Sequence, residues 1–403
     1  MRILYVSTLC SDAKFKLIFE KSKIKPQQQA QKFHKLLSGG LSNYCKSIYF
    51  LTRPLVNKST KLDIDLMGTQ ESLENKTYHY LKISSNSLVK HISLFFAGMV
   101  NTFKWNFKYK KEERVIFCDI LNLSISISAL IASKLCRVKS VAIITDLPNY
   151  MNYTKQKDST FFNLHTKLYR GLCNYFLKRY NYYVILTEQM NELVNPKNKP
   201  YVVIEGMVDV KMNKMPNKIE DKYEEKVIIY AGALYEKYGV KSLIEAFIEL
   251  KDKDARLWLF GDGDLVNEIN TYQEKDSRIK YFGVVPNDHV VREQLKATLL
   301  VNPRPSNEEF TKYSFPSKNM EYMASGTPVV TTPLQGMPQE YNDYVYLFED
   351  EAVDGMIKTL TTILSKDKSE LHDKGIRAKE FVLKEKNNMA QAEKILNMIL
   401  KGC

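Results

Sequence analysis

The sequence predicts two doubly wound α/β domains in tandem, on three observations. Short β-branched runs alternate with longer helical patterns along the 403 residues, the signature of parallel sheets covered by helices. Several of the runs, such as Val115–Cys118, are apolar throughout, as strands buried on both faces are. A polar, aperiodic, Pro-containing stretch at 208–226 interrupts the alternation, and a fresh strand restarts it at Val227.

In the first half the strands fall at Ile3–Ser7, Ile48–Thr52, Val115–Cys118, Val141–Thr145, Tyr182–Leu186 and Tyr201–Glu205. Between them run helical patterns over Gln27–Leu37, Leu88–Phe107, Leu123–Leu135 and Phe161–Arg179. In the second half, strand Val227–Ala231 leads to helix Val240–Leu250, strand Arg256–Phe260 and helix Leu265–Glu274. Strand Ile279–Gly283, helix Asp288–Leu295 and strands Leu299–Asn302 and Val329–Thr331 complete the pattern. The expected domains are therefore 1–215 and 216–386, with a terminal helix over 387–403 packing as a strap between them. Tandem domains of this kind enclose an interdomain cleft where strand C-termini and helix N-termini converge.

Charge is divided unevenly. Residues 1–215 hold 33 Lys and Arg against 15 Asp and Glu, a net of +18, whereas the remainder nets −5. The basic half is expected to face something anionic: nucleic acid, an anionic membrane surface or a phosphorylated lipid. No Cys₂His₂ spacing, RNP-type motif or helix-turn-helix signature supports nucleic acid. The six cysteines have no metal-ligand spacing and read as reduced cytosolic thiols. The chain starts directly with a strand, and no apolar run approaches the ~20 residues of a spanning helix, so a cytoplasmic location is expected. The aromatic-basic segments 94–111 and 168–180 suit a membrane surface, although a helix packed on a core would show the same spacing.

The most informative stretch is Tyr313-Ser-Phe-Pro-Ser-Lys-Asn-Met-Glu321-Tyr-Met-Ala-Ser-Gly326-Thr-Pro-Val-Val330. Ser314 reads as an N-cap and Pro316 as a first-turn residue, leaving free N–H groups near Phe315, Pro316, Ser317 and Lys318 for a phosphate. Glu321 follows about one and a half turns in. Gly326 ends the helix and Pro328 keeps it ended.

Other strand ends converge on the same sheet edge. Gly232 in Gly-Ala-Leu-Tyr-Glu-Lys-Tyr-Gly (232–239) allows a tight turn against a ligand, and Lys237 can reach a phosphate. Gly261 lies in Phe260-Gly-Asp-Gly263, and the backbone at Gly283 and Val284 suits a nucleobase edge. Arg304 closes the strand before the helix, facing the same phosphates as Lys237 or pairing with Glu308 or Glu309. Glycines, two cations and a carboxylate at one edge fit a ligand carrying phosphates and sugar hydroxyls.

On these residues, 227–347 resemble the donor-binding domain of GT-B fold glycosyltransferases, in particular the retaining, nucleotide-sugar-dependent family 4. The resemblance rests on 232–239, 260–263 and 315–330, in that order and spacing; the first half shares only the alternation of strands and helices. It implies two Rossmann-like domains, a UDP- or GDP-sugar as donor substrate and no tightly bound cofactor. It also implies diphosphate binding by Lys237 and ribose binding by Glu321. The chain departs from the family at two places. Tyr313 stands where the first Glu of the Glu-x7-Glu motif is expected, with Glu308 or Glu309 as substitutes. Ala233 stands where an Arg is expected, and Arg304 is the candidate replacement.

The implied chemistry is transfer with retention, in which cations and a helix N-terminus stabilise the departing diphosphate. No metal is expected. In the first half Asp146 and Asp119 end strands, and each either lines an acceptor site or caps the next helix; His165 reads as structural. The expected acceptor is lipid-linked or an oligosaccharide at the membrane, in surface polysaccharide assembly. A nucleotide-sugar 2-epimerase of the same fold and a scaffold that has lost catalysis are the alternatives.

Overall fold

The computed structural model describes residues 1–23, 25–26, 28–56, 68–84, 87–147 and 171–401. They form two compact units, Met1–Glu205 with Asn388–Cys403, and Gly206–Asn387. Both are parallel sheets covered by helices, so the predicted α/β class holds.

The strands of unit 1 are β1 (Arg2–Ser7), β2 (Ser47–Thr52), β3 (Gln70–Leu73), β4 (Lys76–Tyr80), β5 (Arg114–Asp119), β6 (Lys139–Ile144), β7 (Tyr182–Ile185) and β8 (Tyr201–Val203). They pair in the order β3-β4-β2-β1-β5-β6-β7-β8, and all pairs are parallel except β3 with β4. Its described helices include α1 (Asp12–Lys21), α2 (Gln28–Leu41), α3 (Ser87–Lys108), α4 (Leu123–Leu135) and α5 (Glu188–Val194). Six predicted strands are present to within about two residues at each end. The β3–β4 hairpin and α1 are additions that the sequence did not announce. Of the predicted Phe161–Arg179 helix, residues 171–177 are helical, and 161–170, with His165, lie outside the described residues.

Unit 2 runs β9 (Lys226–Ala231), α6 (Val240–Ile248), β10 (Ala255–Phe260), α7 (Val266–Lys275), β11 (Ile279–Tyr281), α8 (Asn287–Lys296) and β12 (Leu299–Asn302). There follow α9 (Ser317–Ser325), β13 (Val329–Thr331), β14 (Tyr346–Leu347), α10 (Val353–Leu364) and α11 (Lys368–Glu385). The sheet order is β11-β10-β9-β12-β13-β14, parallel throughout. Winding proceeds outward from β9 to β11 and then returns to β12 on the other side. The switch point of this sheet therefore lies between the C-terminal ends of β9 and β12, where open α/β sheets bind ligands.

The stretch read as a linker is not a bare connection. Val208 donates its N–H to the Lys386 carbonyl at 3.0 Å, and short 3-10 turns follow at Val210–Lys214 and Ile219–Asp221. Asn217 Nδ2 reaches the Ser325 carbonyl at 2.9 Å, and buried Lys222 donates to Thr327 Oγ1 at 2.7 Å and the Ala297 carbonyl at 3.0 Å. Burial, with Lys368 adding to it, pushes the Lys222 pKa down to about 7. Residues from Gly206 onward belong to unit 2, so the compact units divide at Glu205–Gly206 and not at residue 215.

The terminal helix α12 (Asn388–Lys401) belongs to unit 1, where it lies along α2 and reaches β7 and β8. Gly40 makes that approach possible. A Cβ there would stand 1.9 Å from the Asn388 carbonyl oxygen, whereas one at Gly39 would meet nothing nearer than 3.6 Å. Gly40→Ala is therefore expected to cost about 1–3 kcal/mol by overpacking. Gly39→Ala should be neutral or stabilise by up to ~1 kcal/mol. Urea denaturation of the two variants checks the contrast.

Candidate active site

The site at the switch point of unit 2 is built on α9. Three side chains from its first two turns each reach a strand end. Lys318 Nζ donates to Tyr230 Oη of β9 at 2.7 Å. Asn319 accepts from Asn302 Nδ2 of β12 at 2.7 Å and donates to Thr331 Oγ1 of β13 at 3.2 Å. Tyr322 Oη accepts from the Ala231 N–H at 2.9 Å and lies 3.2 Å from the Ala231 carbonyl. At helical spacing, residues 318, 319 and 322 share one face, so the helix is fixed in position and rotation against the sheet.

Its start differs from the sequence reading. Ser314 does not cap α9. Residues Glu309–Tyr313 form a 3-10 turn that ends at Ser314, and Pro316 occupies the position before the helix. Ser314 Oγ instead donates to the Phe310 carbonyl at 3.0 Å and accepts from Arg304 at 3.0 Å. The Arg304 guanidinium lies 4.6 Å from the Phe310 ring centroid, and its carbonyl accepts from Thr332 Oγ1. Gly326 ends α9 in the left-handed region, φ 80°, as expected.

The glycine loops pack on one another. Gly232 donates to the Phe260 carbonyl and Gly261 to the Gly283 carbonyl, both at 2.8 Å, and Leu234 donates to the Asp262 carbonyl at 2.9 Å. A Cβ at Gly261 would stand 1.8 Å from the Gly232 carbonyl oxygen. A Cβ at Gly232 would stand 1.9 Å from Lys318 Nζ. The space above Gly232 is thus filled by a cation from α9, a contact that spacing along the chain does not reveal.

Burial, then the neighbouring Arg304, pushes the Lys318 pKa down to about 7, with Glu321 opposing. Glu321 is half-buried on the same helix. Lys237, by contrast, is exposed on a 3-10 turn (Glu236–Tyr238), with its ammonium 5.5 and 5.2 Å from the Tyr235 and Tyr238 ring centroids. Ala233 accepts from Tyr230 Oη at 2.7 Å through its carbonyl. Val284 is largely exposed, and Phe315 and Pro316 are buried under α9. Tyr313 is half-buried at the end of its turn.

In unit 1, Asp119 is buried and accepts from the Leu121 N–H at 3.1 Å and from Asn122 Nδ2 at 2.7 Å, shaping the turn into α4. Asp146 is exposed after β6. A polar groove, not foreseen from the sequence, lies between the β1 end, α2 and the β3–β4 hairpin, with Ser11, Asp12, Lys35, Glu71 and Lys76 along it. Its Glu71 carboxylate accepts from Ser11 Oγ at 2.8 Å and Tyr80 Oη at 3.0 Å. Among the described residues no group of three His, Cys, Asp or Glu is placed to hold a metal ion.

Residues 225–366 match the family model described as glycosyl transferases group 1. No curated protein matches the chain. Among solved structures, sucrose-phosphate synthase of Thermosynechococcus elongatus is similar over 100% of this chain and 99% of its own, at 14% identity and a TM-score of 0.64. HepE of Anabaena, in complex with UDP, is similar over 100% of both chains, at 13% identity and a TM-score of 0.63. The lipopolysaccharide outer core galactosyltransferase WaaB is similar over 100% of both chains, at 15% identity and a TM-score of 0.62. The chain thus has the GT-B fold. Its second unit carries the group 1 glycosyltransferase domain.

Two glycines separate conformational strain from crowding. Gly283 has φ 68° with nothing within 4 Å of an added Cβ, whereas Gly261 combines φ 129° with the clash on Gly232. Gly283→Ala is expected to cost about 1–2 kcal/mol, and Gly261→Ala distinctly more because backbone must move as well. Thermal unfolding of both variants measures the difference; equal losses would show that the glycine loops are not in contact.

Proposed function

We propose that the protein transfers a sugar, with retention, from a UDP- or GDP-sugar to a membrane-associated, lipid-linked acceptor in surface polysaccharide assembly. The observation that carries the donor side is the convergence of Lys318, Arg304, the α9 N-terminus and Glu321 on the β9–β12 switch point. In this reading the N–H groups of Ser317 and Lys318 with the Lys318 and Arg304 cations hold the diphosphate, supplemented by Lys237 from its exposed turn. Glu321 accepts from the ribose hydroxyls, and backbone at Gly283 and Val284 meets the base. UDP bound to HepE is consistent with a nucleotide at such a site.

The chemistry is electrostatic. The bond from sugar C1 to the diphosphate oxygen breaks, the acceptor oxygen replaces it on the same face, and the acceptor's proton leaves with the phosphate. Charge that develops on the diphosphate meets fixed cations and the positive end of α9, which need little reorganisation. Unit 1 takes the acceptor, through Asp146 or the groove beside Glu71. Tyr313, in the place of a glutamate expected on the sugar side, favours a second reading as a donor-binding scaffold without transfer.

A thermal-shift screen of UDP- and GDP-sugars tests the donor assignment. A ligand at about 100 times its Kd stabilises by ~2.7 kcal/mol, and Glu321→Ala should weaken the active ligand by ~10–100-fold through loss of charged hydrogen bonds. Transfer at the wild-type rate by that variant would contradict the role of Glu321. Binding without transfer to any lipid-linked acceptor would favour the scaffold.

Lys318 makes donor binding pH-dependent. With its free-state pKa lowered to about 7, the side chain is neutral above that pH and must gain a proton to meet a diphosphate. Donor affinity should therefore fall by up to tenfold per pH unit above 7, with uptake of up to one proton. Calorimetry of UDP-glucose and GDP-mannose in buffers of different ionisation enthalpy reads that proton. Lys318→Met should abolish the pH dependence, and a pH-independent wild type would contradict the assignment.

A further inference from the structure

Helix α3 mixes polar residues into its buried face and leaves a row of large apolar residues open. Its buried face includes Thr102 and Asn106 beside Leu94 and Trp105, all at most 4% exposed. Gly98 on that face lets α3 press on α4, for a Cβ there would stand 2.3 Å from Ser128 Oγ. The opposite face is apolar and open. Val89, Ile92, Phe96, Val100 and Phe107 are each 48–68% exposed. At 100° per residue they fall within an arc of about 80°, a stripe ~27 Å long.

Both ends of the stripe are basic. Lys104, Lys108, Lys110 and Lys111 are exposed at the C-terminal end, and Lys90 lies near enough to Arg53 at the other end for the two charges to oppose each other. The nearby Glu112 carboxylate is occupied by Arg2 at 2.8 Å and Lys46 at 3.3 Å. Unit 1 carries 33 Lys and Arg against 15 Asp and Glu. A second copy docked on the stripe would bring like charges together at both ends. An anionic bilayer satisfies both parts, taking the rings and branched side chains into its interface and the lysines among its headgroups. No described helix is long and apolar enough to cross a membrane, so α3 would lie along the surface.

We infer that the Val89–Phe107 stripe of α3 with its flanking lysines seats the protein on an anionic lipid surface. The inference builds on the proposed transfer to a membrane-held acceptor and names the surface that brings unit 1 to it. Interfacial binding of this kind needs both the apolar face and the charge, since each alone is weak.

Co-sedimentation of the full chain with vesicles tests it, comparing phosphatidylcholine alone with phosphatidylcholine containing a quarter phosphatidylglycerol. Wild type should partition at least tenfold more strongly onto the anionic vesicles. The Phe96→Ser/Phe107→Ser and Lys104→Glu/Lys108→Glu double variants should each lose tenfold or more, with unchanged thermal unfolding. A wild type that stays in solution, or variants that sediment like it, would overturn the inference. So would light scattering that shows a dimer dissolved by Phe96→Ser/Phe107→Ser, because the stripe would then join two copies. A nucleotide-sugar thermal shift on the same preparations keeps the two claims apart: its absence defeats the donor reading while vesicle binding stands.

Discussion

The attachment of α9 to the strand ends is the constraint from which the donor-side geometry follows. Three neighbouring residues tie one short helix to β9, β12 and β13 through Lys318, Asn319 and Tyr322. Nine residues make too short a helix to hold its own position, so these polar bonds and the buried Met320 and Met323 set where its N-terminus points. Because buried polar groups are costly unless paired, the network permits few alternatives. A helix held this way keeps its dipole aimed at one place on the sheet edge. Glu321, one residue from Tyr322 and three from Lys318, stays on that edge as a consequence.

The glycine loops respond to the same constraint. Gly232, Gly261 and Gly263 lack side chains because neighbouring backbone and the Lys318 ammonium occupy the space where a Cβ would lie. Their immediate role is close packing of consecutive βα loops, with the Lys318 side chain buried over Gly232. Packing and ligand chemistry meet at that one lysine. It is held by a tyrosine hydroxyl and not by a carboxylate, an arrangement that keeps its charge responsive to what else enters the site.

Much of the fold was legible because buried parallel strands leave continuous apolar runs, and α4 was found from Leu123 to Leu135, as observed. The β3–β4 hairpin was not, since it is an edge pair whose residues are mostly polar or exposed. The 208–226 stretch looked like a linker because its anchors are polar: Asn217 and Lys222 bond to α9's end and to β13's approach, and neither contributes to periodicity. At the site, the motif over 315–330 marks out the helix that the structure shows at Ser317–Ser325. The contact of Lys318 with Gly232 spans about half of the unit in sequence, and no local pattern encodes it. Ser314 failed as a cap because an additional 3-10 turn takes up the chain before it, and Lys237 sits exposed against tyrosine rings.

The central claim is that a nucleoside diphosphate binds across the β9–β12 switch point with its phosphates on Lys318 and the start of α9. A crystal structure of the protein soaked with UDP and, separately, GDP tests it most directly. The account predicts diphosphate density within hydrogen-bond distance of Lys318 Nζ and of the Ser317–Lys318 N–H groups, with the ammonium drawn away from Tyr230. Nucleotide bound elsewhere, or bound with Lys318 still on the Tyr230 hydroxyl and remote from phosphate, would contradict it.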